Sequence, residues 1–109
     1  MLNLRHIQYF IAIAESRSIS AAAESLGMAQ PSLSESIARL EQYFETPLAI
    51  RGARGIELTE AGAALARKGR RLLDICDMMT TEIREIGGAP SGQITLALPP
   101  SLGLILSVP

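Results

Sequence analysis

The stretch "LGMAQPSLSES", residues 26–36, interrupts an otherwise helical pattern with Gly27, Pro31 and three serines. Upstream of it, Ile19, Ala22, Ala23 and Leu26 share one face of a short helix, with Ser20 as the expected N-cap and Glu24 in the first turn. Gly27 suits the left-handed residue that closes such a helix. Downstream, a new helix is expected to start near Gln30. Pro31 fits its first turn, where the missing N–H would have had no intrahelical partner. Leu33, Ile37, Leu40 and Phe44 mark the stripe expected to be buried, and Pro47 is expected to stop the helix. The small Ala22 and Ala23 let two helices approach closely and Gly27 allows the sharp turn between them, so the segment predicts a helix-turn-helix.

The second helix of that pair begins with a polar tip. With Leu33, Ile37, Leu40 and Phe44 inward, Pro31, Ser32, Glu35, Ala38, Arg39 and Gln42 face outward, and Gln30 and Ser34 flank the tip. Short hydroxyls and one amide on a rigid helix start can enter a DNA major groove without filling it. Gln30 can pair bidentately with adenine N6 and N7, at about 1–3 kcal/mol of discrimination. Ser32 and Ser34 can reach bases or phosphates, the helix's first amides favour a phosphate, and Pro31 offers an apolar surface to a thymine methyl. A small helical bundle with solvated serines would show the same pair of helices, so the next segment carries weight.

That segment, "LAIRGARGIEL" (48–58), reads as two short strands around a Gly-rich turn. It sets Arg51 and Arg54 on a hairpin directly after the helix, where a winged helix places arginines against the DNA backbone. Before the pair, Leu4, Ile7, Phe10, Ile11 and Ala14 predict a helix over residues 4–16, broken by "SRS" (16–18). After the hairpin, Thr59 is expected to cap a long helix over about 60–87, ended by Gly87 and Gly88. The expected fold is therefore mainly α: a winged helix-turn-helix with a two-stranded wing (1–58), followed by a long dimerisation helix (59–87). "GAPSG" at 88–92 has the composition of a hinge. Alternation of Ile94, Leu96 and Leu98 with polar or small residues predicts a strand, ended by Pro99 and Pro100, so residues 93–109 are expected to open an α/β effector domain.

Charge gives no support to DNA binding. The chain of 109 residues carries a net charge of −1, and its first 60 residues hold five arginines against seven glutamates. A basic footprint is missing, and the inference rests on local geometry. Hydrophobic residues make up 48% of the chain, enough for a core, and aromatic residues only 4%, so that core is aliphatic. A lone cysteine, Cys76, rules out an intrachain disulfide framework. "IAIA" (11–14) is too short to span a bilayer and the N-terminus lacks a signal-peptide pattern, so a cytoplasmic protein is expected. No metal-ligand spacing, nucleophile–base arrangement, phosphate loop or cofactor motif is present, and the expectation is a protein without enzymatic activity. The lone His6 is given no role.

The run "LRHIQYFIAIAES" through "SISAAAESLGMAQPSLSESIARLEQYFETPLAIRGARGIELTEAG" resembles the N-terminal domain of LysR-type transcriptional regulators. The resemblance rests on the Gln30–Pro31 helix start, the pair Leu40–Glu41, the arginine-bearing wing, and Leu58-Thr59 with Gly62. It implies DNA contacts at Gln30, Pro31, Ser34, Glu35 and Arg54, a dimer whose linker helices pair antiparallel, with a homotetramer open to the full-length protein, and a small-molecule inducer bound by the second domain. Ser101 matches a region of ligand contact in that domain. Two residues depart from the family pattern. Glu35 stands where a basic residue is common, and could accept from cytosine N4 or repel phosphate. Ala49 stands where a large apolar residue is usual, which is expected to loosen the wing.

In the long helix, Leu65, Gly69, Leu72, Cys76, Met79, Ile83 and Ile86 are spaced 4, 3, 4, 3, 4, 3. This heptad seam is expected to form the dimer interface, with Gly62, Gly69 and Cys76 as its small positions. Ala66, Leu73 and Ile75, on another face, are expected to pack on the chain's own core. The basic run Arg67, Lys68, Arg70 and Arg71 reads as a solvated face, with Glu82 and Glu85 of a partner helix as exposed ion-pair mates of little energetic weight. The function expected is sequence-specific binding to an inverted-repeat operator and regulation of transcription. Two alternatives are a winged-helix module that binds protein instead of DNA, and an enzyme whose catalytic domain lies beyond residue 109.

Overall fold

A computed structural model describes residues 1–88 of the chain. Four helices and one hairpin follow in order: α1 (Leu4–Ser16), α2 (Ile19–Leu26), α3 (Gln30–Phe44), β1 (Ala49–Gly52), β2 (Gly55–Leu58) and α4 (Glu60–Ile86). The chain divides into two units at Arg71/Leu72, with α1 to β2 and the first part of α4 in the former. The expected strand at 94–98, the effector-domain segment and Ser101 lie outside the described residues. Among the described residues, no helix is long and apolar enough to cross a membrane.

The core of the first unit is aliphatic with one aromatic, as the composition requires. Phe10, Ile7, Ile13, Leu33, Leu40 and Leu48 are its largest fully buried side chains, each stabilising by about 1.5–3 kcal/mol. Ala22 and Ala23 are buried where α2 meets its neighbours, which is the close approach their size allows. Gly27 closes α2 with φ 68°, and its N–H returns to Glu24 O. Ile13 lies outside the expected α1 stripe, yet it is fully buried. Leu4, inside that stripe and the first residue of α1, is 45% exposed.

Four local expectations are corrected. The N-cap of α2 is Ser18 rather than Ser20: its Oγ accepts from Ala21 N at 3.1 Å, and its backbone is extended, as a cap requires. Helix α3 ends at Phe44, before Pro47 can act, because Glu45 turns left-handed (φ 55°) and Thr46 N bonds back to Glu41 O. Phe44, at that capped end, leaves the buried stripe and stacks edge-on against Tyr43 with ring centroids 5.0 Å apart. Ile75 is exposed and packs on no core.

Gly62 and Gly69 are the further correction. Both are buried in the first unit. A Cβ at Gly62 would lie on the Leu48 carbonyl oxygen, and one at Gly69 would meet Ile7 Cγ2 at 2.8 Å and Ile11 Cδ1 at 3.2 Å. These glycines bring α4 close to its own chain, so Gly69 is removed from the seam expected to face a partner. The free apolar face of α4 is instead carried by Leu72, Ile75, Met78, Met79, Ile83 and Ile86, all exposed. Leu65 and Cys76 are half-buried.

Candidate nucleic-acid interface

Helix α3 separates its residues as an amphipathic helix must. Leu33, Ser36, Ile37 and Leu40 are buried, while Gln30, Pro31, Ser32, Glu35 and Arg39 are exposed and Ser34 is half-buried at the boundary. Ser36 tolerates burial because its Oγ donates to Leu33 O at 2.7 Å. At the N-terminus, Ala29 offers no side-chain cap, and Pro31 removes one of the donors that would otherwise stand free. The amides of Gln30 and Ser32 therefore remain at the tip without a side-chain acceptor. On the outer face, Arg39 Nη2 pairs with Glu35 Oε2 at 3.1 Å, both side chains about two-thirds exposed. The pair contributes little to stability at that exposure. It does offset the charge of Glu35 one turn below the tip.

The wing is a regular antiparallel hairpin with Ala49 opposite Leu58, Ile50 opposite Glu57, Arg51 opposite Ile56 and Gly52 opposite Gly55. Ala49 has not disturbed the pairing. Ala53 and Arg54 form the turn, which puts Arg54 at the exposed wing tip. Arg51 is turned back toward α3 and donates through Nη2 to Ser34 Oγ. The two arginines expected on the DNA backbone thus stand in different places: Arg54 is exposed at the tip with no side-chain partner among the described residues, and Arg51 is engaged with α3.

Three anchors hold this wing, none evident from periodicity. Glu41 Oε2 accepts from Leu48 N at 2.8 Å and Ala49 N at 3.3 Å, fixing the exit from α3 into β1. Arg17, left-handed at the end of α1, accepts from Ile56 N at 3.0 Å through its carbonyl. Gly55 (φ 104°) lets β2 come this close, since a Cβ there would stand 2.6 Å from Arg17 O. Finally, Thr59 Oγ1 donates to Pro47 O at 2.7 Å and accepts from Gly62 N at 3.0 Å, while Thr59 N donates to Leu48 O at 3.1 Å. The threonine is both the N-cap of α4 and the clasp between that helix and the root of the wing. The sequence signals were present as Leu40–Glu41 and Leu58-Thr59 with Gly62, but their partners are distant in the chain.

A protruding helix start beside an arginine-bearing wing defines a winged helix-turn-helix of the DNA-binding kind. Residues 4–63 match the family described as bacterial regulatory helix-turn-helix protein, lysR family. The HTH-type transcriptional regulator BudR of Klebsiella aerogenes is 38% identical over 97 residues, covering 89% of this chain and 68% of that protein. The nitrogen assimilation regulatory protein nac of Klebsiella aerogenes is 37% identical over 99 residues, 91% of this chain but only 32% of that one. Among solved structures, the DNA-binding domain of CbnR in complex with DNA superposes with a TM-score of 0.75 at 35% identity, over 78% of this chain and 98% of that one. The chain belongs to the LysR family of bacterial helix-turn-helix regulators, a class of DNA-binding transcription regulators.

Proposed function

We propose that residues 1–58 read a specific operator as one half of a dimer joined through the long helix at 59–87, and that this regulates transcription in the cytoplasm. One observation carries the reading: the exposed start of α3, with Gln30, Pro31, Ser32, Ser34 and Glu35, stands beside a wing whose tip carries an exposed Arg54. Base contacts fall to Gln30, Pro31, Ser32, Ser34 and Glu35, and phosphate contacts to Arg39 and Arg54. The dimer contact falls to the outer part of α4, through Leu72, Cys76, Met79, Ile83 and Ile86. A two-fold dimer places its reading helices about 34–36 Å apart, or a multiple of that, so the operator is an inverted repeat. Control by a small molecule in a domain opened at 93–109, beyond a hinge at 88–92, belongs to the same proposal, supported by the family resemblance alone.

Gln30→Ala tests the reading. Specific binding is expected to weaken by about 1–3 kcal/mol with non-specific binding nearly unchanged, because the lost amide contacts a base edge. Competition between a selected operator and random DNA measures both. Equal losses on the two would remove Gln30 from base reading.

Glu35→Arg addresses the family departure. The change removes a carboxylate, adds a cation and releases Arg39 from its pair. Affinity for random DNA is expected to rise, with a log–log salt slope steeper by about one unit for each additional phosphate neutralised. A simultaneous fall in operator affinity would assign Glu35 to a cytosine amino group, and no change in either would place its side chain outside the groove.

A further inference from the structure

Arg51 lies seventeen positions after Ser34, and the contact between them joins the reading helix to the wing. A serine hydroxyl has one hydrogen to donate and two lone pairs. Inside a helix it commonly returns that hydrogen to a carbonyl of the preceding turn. Two helical serines of this chain do so: Ser16 Oγ donates to Ala12 O at 3.0 Å, and Ser36 Oγ to Leu33 O at 2.7 Å. Ser34 differs. Its oxygen accepts from the Arg51 guanidinium, and among the described residues its hydrogen has no acceptor. The cation repels that hydrogen and holds the lone pair on its own side, so the O–H points away from the wing.

We propose that Arg51 is a positioning residue which fixes the hydrogen-bond polarity of Ser34, making the serine a donor aimed at an acceptor atom on one base edge. The inference rests on the DNA-binding reading above and deepens it. Its chemical content is a choice between groove atoms. Guanine O6 and N7, adenine N7 and thymine O4 are favoured opposite Ser34 over the donors cytosine N4 and adenine N6, because one lone pair of the Ser34 oxygen is already held by the guanidinium and the free hydrogen is left to donate. A wing arginine that merely held a phosphate would carry no such information. Arg51 thus acts on specificity through Ser34, without touching a base.

The test is selection of bound fragments from a random double-stranded DNA library by the 109-residue chain and by Ser34→Ala, Arg51→Ala, Arg51→Lys and the double alanine variant. Circular dichroism confirms that each is folded. Ser34→Ala is expected to lower the preference at one operator position by about tenfold. Arg51→Ala is expected to lower preference at that same position several-fold and leave the rest of the motif intact. The double variant should lose no more there than Ser34→Ala alone, since the two side chains act as one unit. Arg51→Lys, which keeps the charge and one donor, should retain part of the preference. An Arg51→Ala motif identical to that of the wild type, with affinity reduced on all sequences and a salt slope smaller by about one, would overturn the inference and make Arg51 a phosphate contact. Losses that add at different positions would also overturn it. A wild-type chain that enriches no motif would instead sink the DNA-binding reading itself, a distinguishable failure.

Discussion

A Met79→Glu chain is expected to sediment as a monomer at micromolar concentration, with its helical circular dichroism retained. From Leu72 to Ile86, the described part of the second unit presents Ile75, Met78, Met79, Ile83 and Ile86 at 56–74% exposure. Large apolar side chains on one length of helix are the mark of a surface awaiting a partner. Met79 lies midway along this stretch. In a two-fold interface the substitution appears twice, and each carboxylate is buried against apolar neighbours without a cation to meet it. A loss of about 3 kcal/mol corresponds to a dissociation constant raised roughly a hundredfold. Met79 is exposed, so the helix-turn-helix has no reason to unfold. The same variant is expected to lose tight binding to the full operator and keep weak binding to a half-site. A Met79→Glu protein that stays dimeric would move the interface to another surface.

Gly62→Ala is the second large effect, and it acts on stability. The substitution would add up to about 1 kcal/mol in helix propensity. Against this, the new Cβ lands on the Leu48 carbonyl oxygen, a backbone atom that is itself held by Thr59 N. Neither side can give way without opening the Thr59 clasp, and the net loss is expected to be about 3 kcal/mol. For a domain of this size that lowers the melting temperature by roughly 15 °C. Gly69→Ala supplies the contrast: its new Cβ meets side-chain rather than backbone atoms, Ile7 Cγ2 and Ile11 Cδ1, so the melting point should fall by less, though not by nothing, because Ile7 is fully buried and stiff at χ1. Thermal unfolding of the two variants side by side decides the matter. Similar losses at both positions would mean that backbone contact at Leu48 is not what excludes a side chain.

The helices are legible in the sequence because their ends carry local chemistry. Gly27, Pro31 and Thr59 each fix a boundary through their own backbone or side chain, and the amphipathic stripe of α3 sorts Leu33, Ile37 and Leu40 from the exposed tip. What escapes is set by partners far along the chain. Glu41 gives no sign in its neighbourhood that it will hold two amides of the wing, nor Arg17 that its carbonyl will receive Ile56. The small positions of α4 are legible as close-approach sites, but periodicity is blind to whether the approaching surface belongs to the same chain. Gly62 and Gly69 meet their own domain, and the free apolar face lies further along α4 for that reason. At the site, the tip residues can be read from a helical wheel, whereas the contact of Arg51 with Ser34 requires the wing to fold back over the helix.

The two faces of α3 also bear on how such a chain can change over generations. Inward, Leu33, Ile37 and Leu40 are tied to the core, and substitutions there endanger the fold. Outward, Gln30, Pro31, Ser32, Glu35 and Arg39 are exposed and hold no core in place, so exchanging them costs within about 0.5 kcal/mol of folding stability. If these residues read the operator as proposed, binding preference can then drift by single steps, every intermediate remaining a folded protein. A duplicated copy of this chain could acquire a new operator without first acquiring any compensating change in its frame.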